Sequence, residues 1–257
     1  MLQKFFSMIV WAGIALLVLV WLPILGICRL FDWDSTRYRT GKTFRKLGYF
    51  ISRINPNWII NIEGAENIDD RAPYVVVSNH LSNADIPLIS NLPWEMKWVA
   101  KKELFDVPFV GWMMSMSGDI SVDRSSTTKR AGIFARSSFY LKRKCSVMFF
   151  PEGTRSRTGL LNNFTTGAFD LAIQEKVPIL PIVIDGTHDC LPKKTWVFKR
   201  AVQIKLKVLS PIDTSGLKGS DTAELMNRVR MSIANQLSEW RELPLNEVDA
   251  TVKSVTV

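Results

Sequence analysis

Tyr74-Val75-Val76-Val77-Ser78-Asn79-His80-Leu81-Ser82-Asn83-Ala84-Asp85 passes from a short β-branched run through a polar turn toward a helical pattern. Three consecutive valines suit a buried strand, because branched side chains fit a pleated surface and resist helical crowding. A strand that feeds a helix is the repeating unit of an α/β fold, and its carboxyl end is where such folds present reactive groups. His80 falls at that end. Asp85 follows five positions later, and if the intervening residues enter a helix its carboxylate can reach back to Nδ1 of the imidazole. Nε2 would then be free to accept a proton. The competing reading is a strand-end histidine and a helix-capping aspartate that never meet.

Outward from this unit the same alternation continues. Strand-like runs occupy residues 58–62, 74–77, 97–100, 119–122, 146–150, 179–184 and 202–208, with helical patterns at 84–90, 108–116, 127–143 and 164–174. The expected architecture is α/β, a mixed and partly parallel sheet covered by helices. Leu225, Val229, Ile233 and Leu237 recur every four residues, which predicts a closing helix over 222–240, with Asp221 and Glu224 as its N-terminal cap. Past Pro244 the periodicity ends. The expected layout is an N-terminal membrane-anchoring part (1–56), an α/β domain (57–242) and a loose tail (243–257).

Phe149-Phe150-Pro151-Glu152-Gly153-Thr154-Arg155-Ser156 closes another strand-like run. Pro151 and Gly153 demand a tight turn whose backbone N–H groups, with the Thr154 hydroxyl, can face an anion. Arg155 brings a planar, permanently charged fork that matches phosphate oxygens. Glu152 repels a phosphate, so it is expected to position Arg155 or to bond a substrate hydroxyl. Arg124, ending Gly118-Asp119-Ile120-Ser121-Val122-Asp123-Arg124, and Lys101, at another strand end, are further candidate phosphate contacts; solvated surface charge is the alternative for both. Val177-Pro178-Ile179-Leu180-Pro181-Ile182 has no reactive group and is expected to form an apolar wall near the site.

No G-x-S-x-G elbow occurs, so a serine hydrolase is disfavoured. A base beside a phosphate-binding loop, without a nucleophile of its own, points to an enzyme whose phosphorylated substrate supplies the attacking atom. His188, near Asp185 and Asp189, lacks partners at ligand spacing and reads as a loop histidine; no metal site is expected. Cys28, Cys145 and Cys190 form no C-x-x-C pair, which fits reduced thiols on the cytosolic side.

The 257 residues carry 33 Lys and Arg against 24 Asp and Glu, a net charge of +9, with 47% apolar residues. That balance suits an anionic lipid surface or phosphorylated substrates, and no recognition motif supports nucleic acid. Residues 8–28 are uncharged, and 21 residues of helix extend about 31 Å, close to the hydrocarbon thickness of a bilayer. No small-residue cleavage site follows, which disfavours a signal peptide. Spanning the bilayer and dipping into one leaflet both remain open, since Pro23 and two glycines let the helix bend. Arg29, Arg37, Arg39, Lys42, Arg45 and Lys46 follow it against Lys4 before it, which predicts an inner membrane protein with its bulk on the cytoplasmic side. Residues 36–54 read as a basic amphipathic helix, lying on headgroups or packed on its own domain.

Four blocks in order resemble the glycerolipid acyltransferase family, specifically bacterial 1-acyl-sn-glycerol-3-phosphate acyltransferases. Asn79, His80, Ser82 and Asp85 match N-H-x-S-x-x-D; Gly118, Ile120 and Arg124 match the second block; Phe150 through Ser156 match F-P-E-G-T-R-S; Val177, Pro178, Ile179 and Pro181 match the proline-bearing block. The resemblance implies a glycerolphosphate-acyltransferase-like fold and transfer of an acyl group from acyl-CoA or acyl-carrier protein to lysophosphatidic acid among membrane lipids. It implies His80 as general base, Asp85 as its orienting partner, and Arg124, Glu152, Gly153, Thr154 and Arg155 as the glycerol phosphate site, with no cofactor or metal required. A different lysolipid acceptor and a non-catalytic lipid-binding protein are the rival readings. Residues 191–200, basic and aromatic, match no block.

Overall fold

The computed structural model describes residues 2–69, 71–123, 127–191, 195–199 and 201–252. Two helices lead, α1 (Leu2–Leu30) and α2 (Tyr38–Ile54), followed by β1 (Trp58–Glu63), β2 (Val75–Ser78), α3 (Asp85–Ile89) and β3 (Met96–Lys101). The middle of the chain forms α4 (Lys102–Phe105), α5 (Val110–Ser117), β4 (Ile120–Val122), α6 (Thr127–Leu141), β5 (Ser146–Phe149) and α7 (Gly167–Glu175). Then come β6 (Ile179–Asp185), α8 (Thr187–Cys190), β7 (Val202–Val208), α9 (Thr222–Arg241) and α10 (Leu245–Val248).

The strands make one sheet in the order β1-β7-β6-β2-β5-β3-β4. Only the β6–β7 pair is antiparallel; the other pairs run parallel. The valine run of β2 is buried on both faces, as a central parallel strand must be. One side of the sheet packs Phe169 of α7 with Val229, Ile233 and Leu237 of α9, and the other packs Leu88 and Ile89 of α3 with Trp94 and Leu206. Each such fully buried side chain contributes about 1.5–3 kcal/mol. Within the segment 177–182, residues 179–182 open β6, where Ile179, Leu180 and Ile182 are buried in these cores. It is a central strand beside β2, so the expected wall of the site is instead part of the core.

The four-residue repeat of α9 forms as expected, but its cap differs. The Asp221 carboxylate accepts from the backbone N–H of Lys218 and the hydroxyl of Ser220, closing the turn before the helix rather than the helix itself. The expectation of a loose tail also fails over its first part. Leu161 donates its N–H to the carbonyl of Val248 and accepts from Ala250, while buried Asp249 pairs with Arg230. This register folds the end of the described chain against the loop after Glu152.

The N-terminal helices are built into the domain. Leu25 of α1, Leu47 of α2 and Met113 of α5 form a small core of their own. Beneath α2 lies a buried quartet: Arg45 bonds Asp119 and pairs with Glu95 at 3.5 Å, while Lys97 Nζ sits 2.8 Å from the other oxygen of Glu95. Burial opposes the charge of Lys97, but its neighbours together, Glu95 foremost, hold the ammonium above the usual lysine range. The close approach needs Gly41, where a Cβ would lie 1.9 Å from Glu95 Oε1. The opposite face of α2 leaves Arg39, Lys42, Lys46 and Arg53 exposed, so the helix packs on its domain and presents charge outward.

Candidate active site

Because β2 and β5 are parallel neighbours with Val77 opposite Phe149, the chain leaves both strands at the same edge. That places His80 beside the turn at 150–156. Asn79 continues the sheet with its side chain: Nδ2 donates to the carbonyl of Ile184 at 2.8 Å, and Oδ1 accepts from the Ile184 N–H at 2.9 Å. The His80 backbone is then clamped from both sides. Its N–H donates to Glu152 Oε1 at 2.7 Å, and its carbonyl accepts from the Ser156 N–H at 2.8 Å.

The imidazole is fixed as firmly. Nδ1 lies 2.7 Å from Asp85 Oδ2, and the ring stacks on Phe150 at 3.9 Å between centroids. Asp85 opens α3, and the same Oδ2 accepts from the N–H groups of Leu81 at 2.7 Å and Ser82 at 2.9 Å. An oxygen already held by two donors accepts a third, so Nδ1 carries a proton and, in the neutral ring, Nε2 has the lone pair. Asp85 is fully buried, whereas the His80 side chain is 15% exposed.

Glu152 departs from expectation. Its second oxygen accepts from the backbone N–H and the side-chain amide of Asn162, at 3.1 and 2.7 Å. With His80 on the other oxygen, the carboxylate ties two loops together and makes no bond to Arg155. Burial pushes its pKa up to about 7, against the pull of these hydrogen bonds. The Gly153 N–H is also used internally: it donates to the Phe150 carbonyl at 2.9 Å, with φ of 70° where glycine is favoured. Thr154 is exposed and Arg155 half-buried, and the Arg155 guanidinium makes no ion pair or hydrogen bond among the described residues. Arg124 lies outside the described residues.

Lys101, exposed at the end of β3, joins Glu152, Gly153, Phe150 and Thr165 around a cavity of about 480 Å³; Thr154 and Arg155 stand outside its wall. A second cavity of about 360 Å³ lies between the N-terminal helices and the domain, lined by Trp11, Ile14, Val18, Ile51 and Met114. Ala100 borders both, and Trp98 of the second lies 5.9 Å from the Phe150 ring that covers His80. His80 lines neither space; its ring stacks on Phe150, which borders the first and lies against Trp98 of the second. His188 falls in α8, 3.9 Å from Asp189, and among the described residues no group of three metal-ligating side chains converges. Sequence reasoning missed Asn162, ten residues from its partner in an irregular stretch that carries no periodic signal.

A family model described as Acyltransferase matches residues 59–185. The chloroplastic 1-acyl-sn-glycerol-3-phosphate acyltransferase of Arabidopsis thaliana is 34% identical over 227 residues, covering 88% of this chain and 62% of that protein. The alpha enzyme of that name from Homo sapiens is 36% identical over 186 residues, covering 72% of this chain and 64% of its own length. The chain thus spans just under two thirds of the length of these relatives. The crystal structure of the 1-acyl-sn-glycerophosphate acyltransferase from Thermotoga maritima superposes with a TM-score of 0.78 at 25% identity, covering 93% of this chain and 98% of that one.

Proposed function

We propose that the chain works as a member of the acyltransferase family whose model matches residues 59–185, and that it acylates the sn-2 hydroxyl of 1-acyl-glycerol-3-phosphate, giving phosphatidic acid. The acyl donor is acyl-CoA or acyl-carrier protein. The observation that carries this reading is the imidazole held 2.7 Å from Asp85 and stacked on Phe150, itself a wall of the cavity that Lys101 and Gly153 border. The names of the relatives and of the solved neighbour support the acceptor.

In this mechanism Nε2 of His80 takes the proton of the acceptor hydroxyl as its oxygen attacks the thioester carbonyl. Asp85 stabilises the imidazolium, the tetrahedral species collapses, the C–S bond breaks, and the imidazolium returns the proton to the departing thiolate. Such base assistance is worth about 10²–10⁴-fold, and holding two substrates in register supplies more. Lys101 and Arg155 attract the acceptor phosphate, together with Arg124. The apolar cavity takes an acyl chain.

We further propose that α1 lies in the cytoplasmic leaflet of the inner membrane rather than crossing it. It is the one helix among the described residues long and apolar enough to span, with mean hydropathy 2.6 in its best window. Yet both its ends are tied to one folded unit. Gln3 donates to the Phe198 carbonyl, Ser7 accepts from the Phe198 N–H, and Trp11 Nε1 donates to the Trp196 carbonyl at 2.7 Å. At the other end Trp21 Nε1 donates to the Thr43 carbonyl at 2.9 Å. Crossing the bilayer would break the first set, and Trp196 and Phe198 gain a purpose as the clasp for α1.

The test is acyl transfer by purified protein with labelled donor and an acceptor panel that includes lysophosphatidic acid, other lysolipids and glycerol 3-phosphate. Phosphatidic acid as the preferred product, lost in His80→Ala, supports the assignment. Preference for another acceptor overturns the substrate, and undiminished turnover in His80→Ala overturns the mechanism.

A further inference from the structure

The turn between α4 and α5 is both strained and apolar. Phe109 adopts φ 65° and ψ −60°, and the Val110 N–H closes back on the Pro108 carbonyl at 2.7 Å. This is a γ-turn of the unfavourable hand, seldom accepted by a bulky side chain. Close packing holds it: a Cβ on Gly111 would lie 2.1 Å from the Phe105 carbonyl oxygen, and the Gly111 N–H donates to Val107 at 2.8 Å. The result turns Phe109 outward, edge-to-face with Trp112 at 5.3 Å. Phe109 is 38% exposed and Trp112 54%, flanked by Leu104 and Val107 at 41% and 42%.

Strain that displays two aromatic rings to water makes little sense unless something covers them. The fold indicates the cover. Leu104 and Val110 line the apolar cavity together with Trp11, Ile14 and Val18 of α1, so the patch continues into the helix read above as membrane-embedded. We propose that Phe109 and Trp112 form a second anchor, an aromatic wedge seated in the same leaflet as α1. The mouth of the apolar cavity between them then opens sideways into lipid, and an acyl chain enters without crossing water. Asp106, exposed one residue before Val107, limits the depth to the rings and their aliphatic neighbours. The proposal rests on the leaflet reading of α1, and its test separates the two.

The full chain, with Cys28→Ser to remove the half-buried thiol, is labelled with an environment-sensitive fluorophore at Phe109→Cys, at Leu16→Cys on α1, or at Ser220→Cys on the remote surface. Each is bound to phosphatidylcholine vesicles containing phosphatidylglycerol. The wedge predicts that acyl-chain nitroxide quenches positions 109 and 16 while aqueous iodide quenches position 220. Quenching at 16 but not at 109 overturns the wedge and leaves α1 in place; quenching at neither overturns both. In a parallel assay, Phe109→Ser with Trp112→Ser is expected to lower kcat/KM about tenfold on vesicle-borne acceptor and to spare water-soluble short-chain substrates. Equal loss on both substrates marks a folding defect and overturns the proposal.

Discussion

Two buried polar clusters stand on either side of Trp98, and they behave oppositely. Arg45, Glu95, Lys97 and Asp119 pair two cations with two carboxylates, all at least nine-tenths buried. His80, Asp85, Glu152 and Asn162 set one carboxylate against the imidazole and another against the His80 backbone, and leave the ring partly open, while burial pushes Glu152 up to about 7. Balanced charge sealed from water fixes one helix on one sheet. An oriented base with one face left open can exchange a proton with what binds there. Burial of ionisable groups alone therefore does not mark a site; an oriented base with an open face does.

The sharpest way to break this contrast is to remove one member from each side. His80→Ala is expected to lower the kcat for acyl transfer by about 10²–10⁴-fold while moving the melting temperature by no more than about 2 °C, read by product formation and calorimetry. Lys97→Met reverses the pattern, because Glu95 loses a buried counter-charge. Denaturant unfolding is expected to show a loss of about 3–5 kcal/mol, with turnover per folded molecule little changed; a catalytic collapse without a stability loss would erase the distinction.

Glu152→Gln sharpens it further. An amide cannot accept at both ends, so either His80 or Asn162 loses its partner, and kcat/KM is expected to fall about 10–100-fold for a charged hydrogen bond worth about 1.5–3 kcal/mol. The pH dependence of stability carries the same signature. Folded Glu152 titrates at about 7 against an ordinary 4.5, so between those values the folded state binds more protons than the unfolded. Stability contributed by this group thus declines as pH rises from 4.5 to about 7 and is level above, a slope that Glu152→Gln lacks. The smallest effect belongs to Asn162→Ala, expected to cost about 1 kcal/mol and a few-fold in kcat, and rescued in part by Asn162→Gln.

Much of the sheet was legible because each strand reports its own burial through local pattern: the valines of β2 and the alternation of β7 need no distant partner. His80 and Asp85 were legible for the same reason, being five positions apart at one strand end. Glu152 was seen but given the wrong partners, since its role depends on parallel pairing of β2 with β5. The quartet could not be read at all, because Arg45, Glu95 and Asp119 meet only after α2 docks. Residues 245–252 looked patternless because their order comes from pairing with Leu161, and single hydrogen bonds leave no periodic trace.

Asn79 has a consequence for motion. Its amide imitates one more rung of pairing with Ile184, so β2 ends in register yet releases the chain a residue before the imidazole. The histidine thereby borrows the stillness of the sheet interior without lying in a strand. Deuterium uptake at the Ile184 amide reports on that loan: wherever it quickens, the orientation of the ring next door loosens in step.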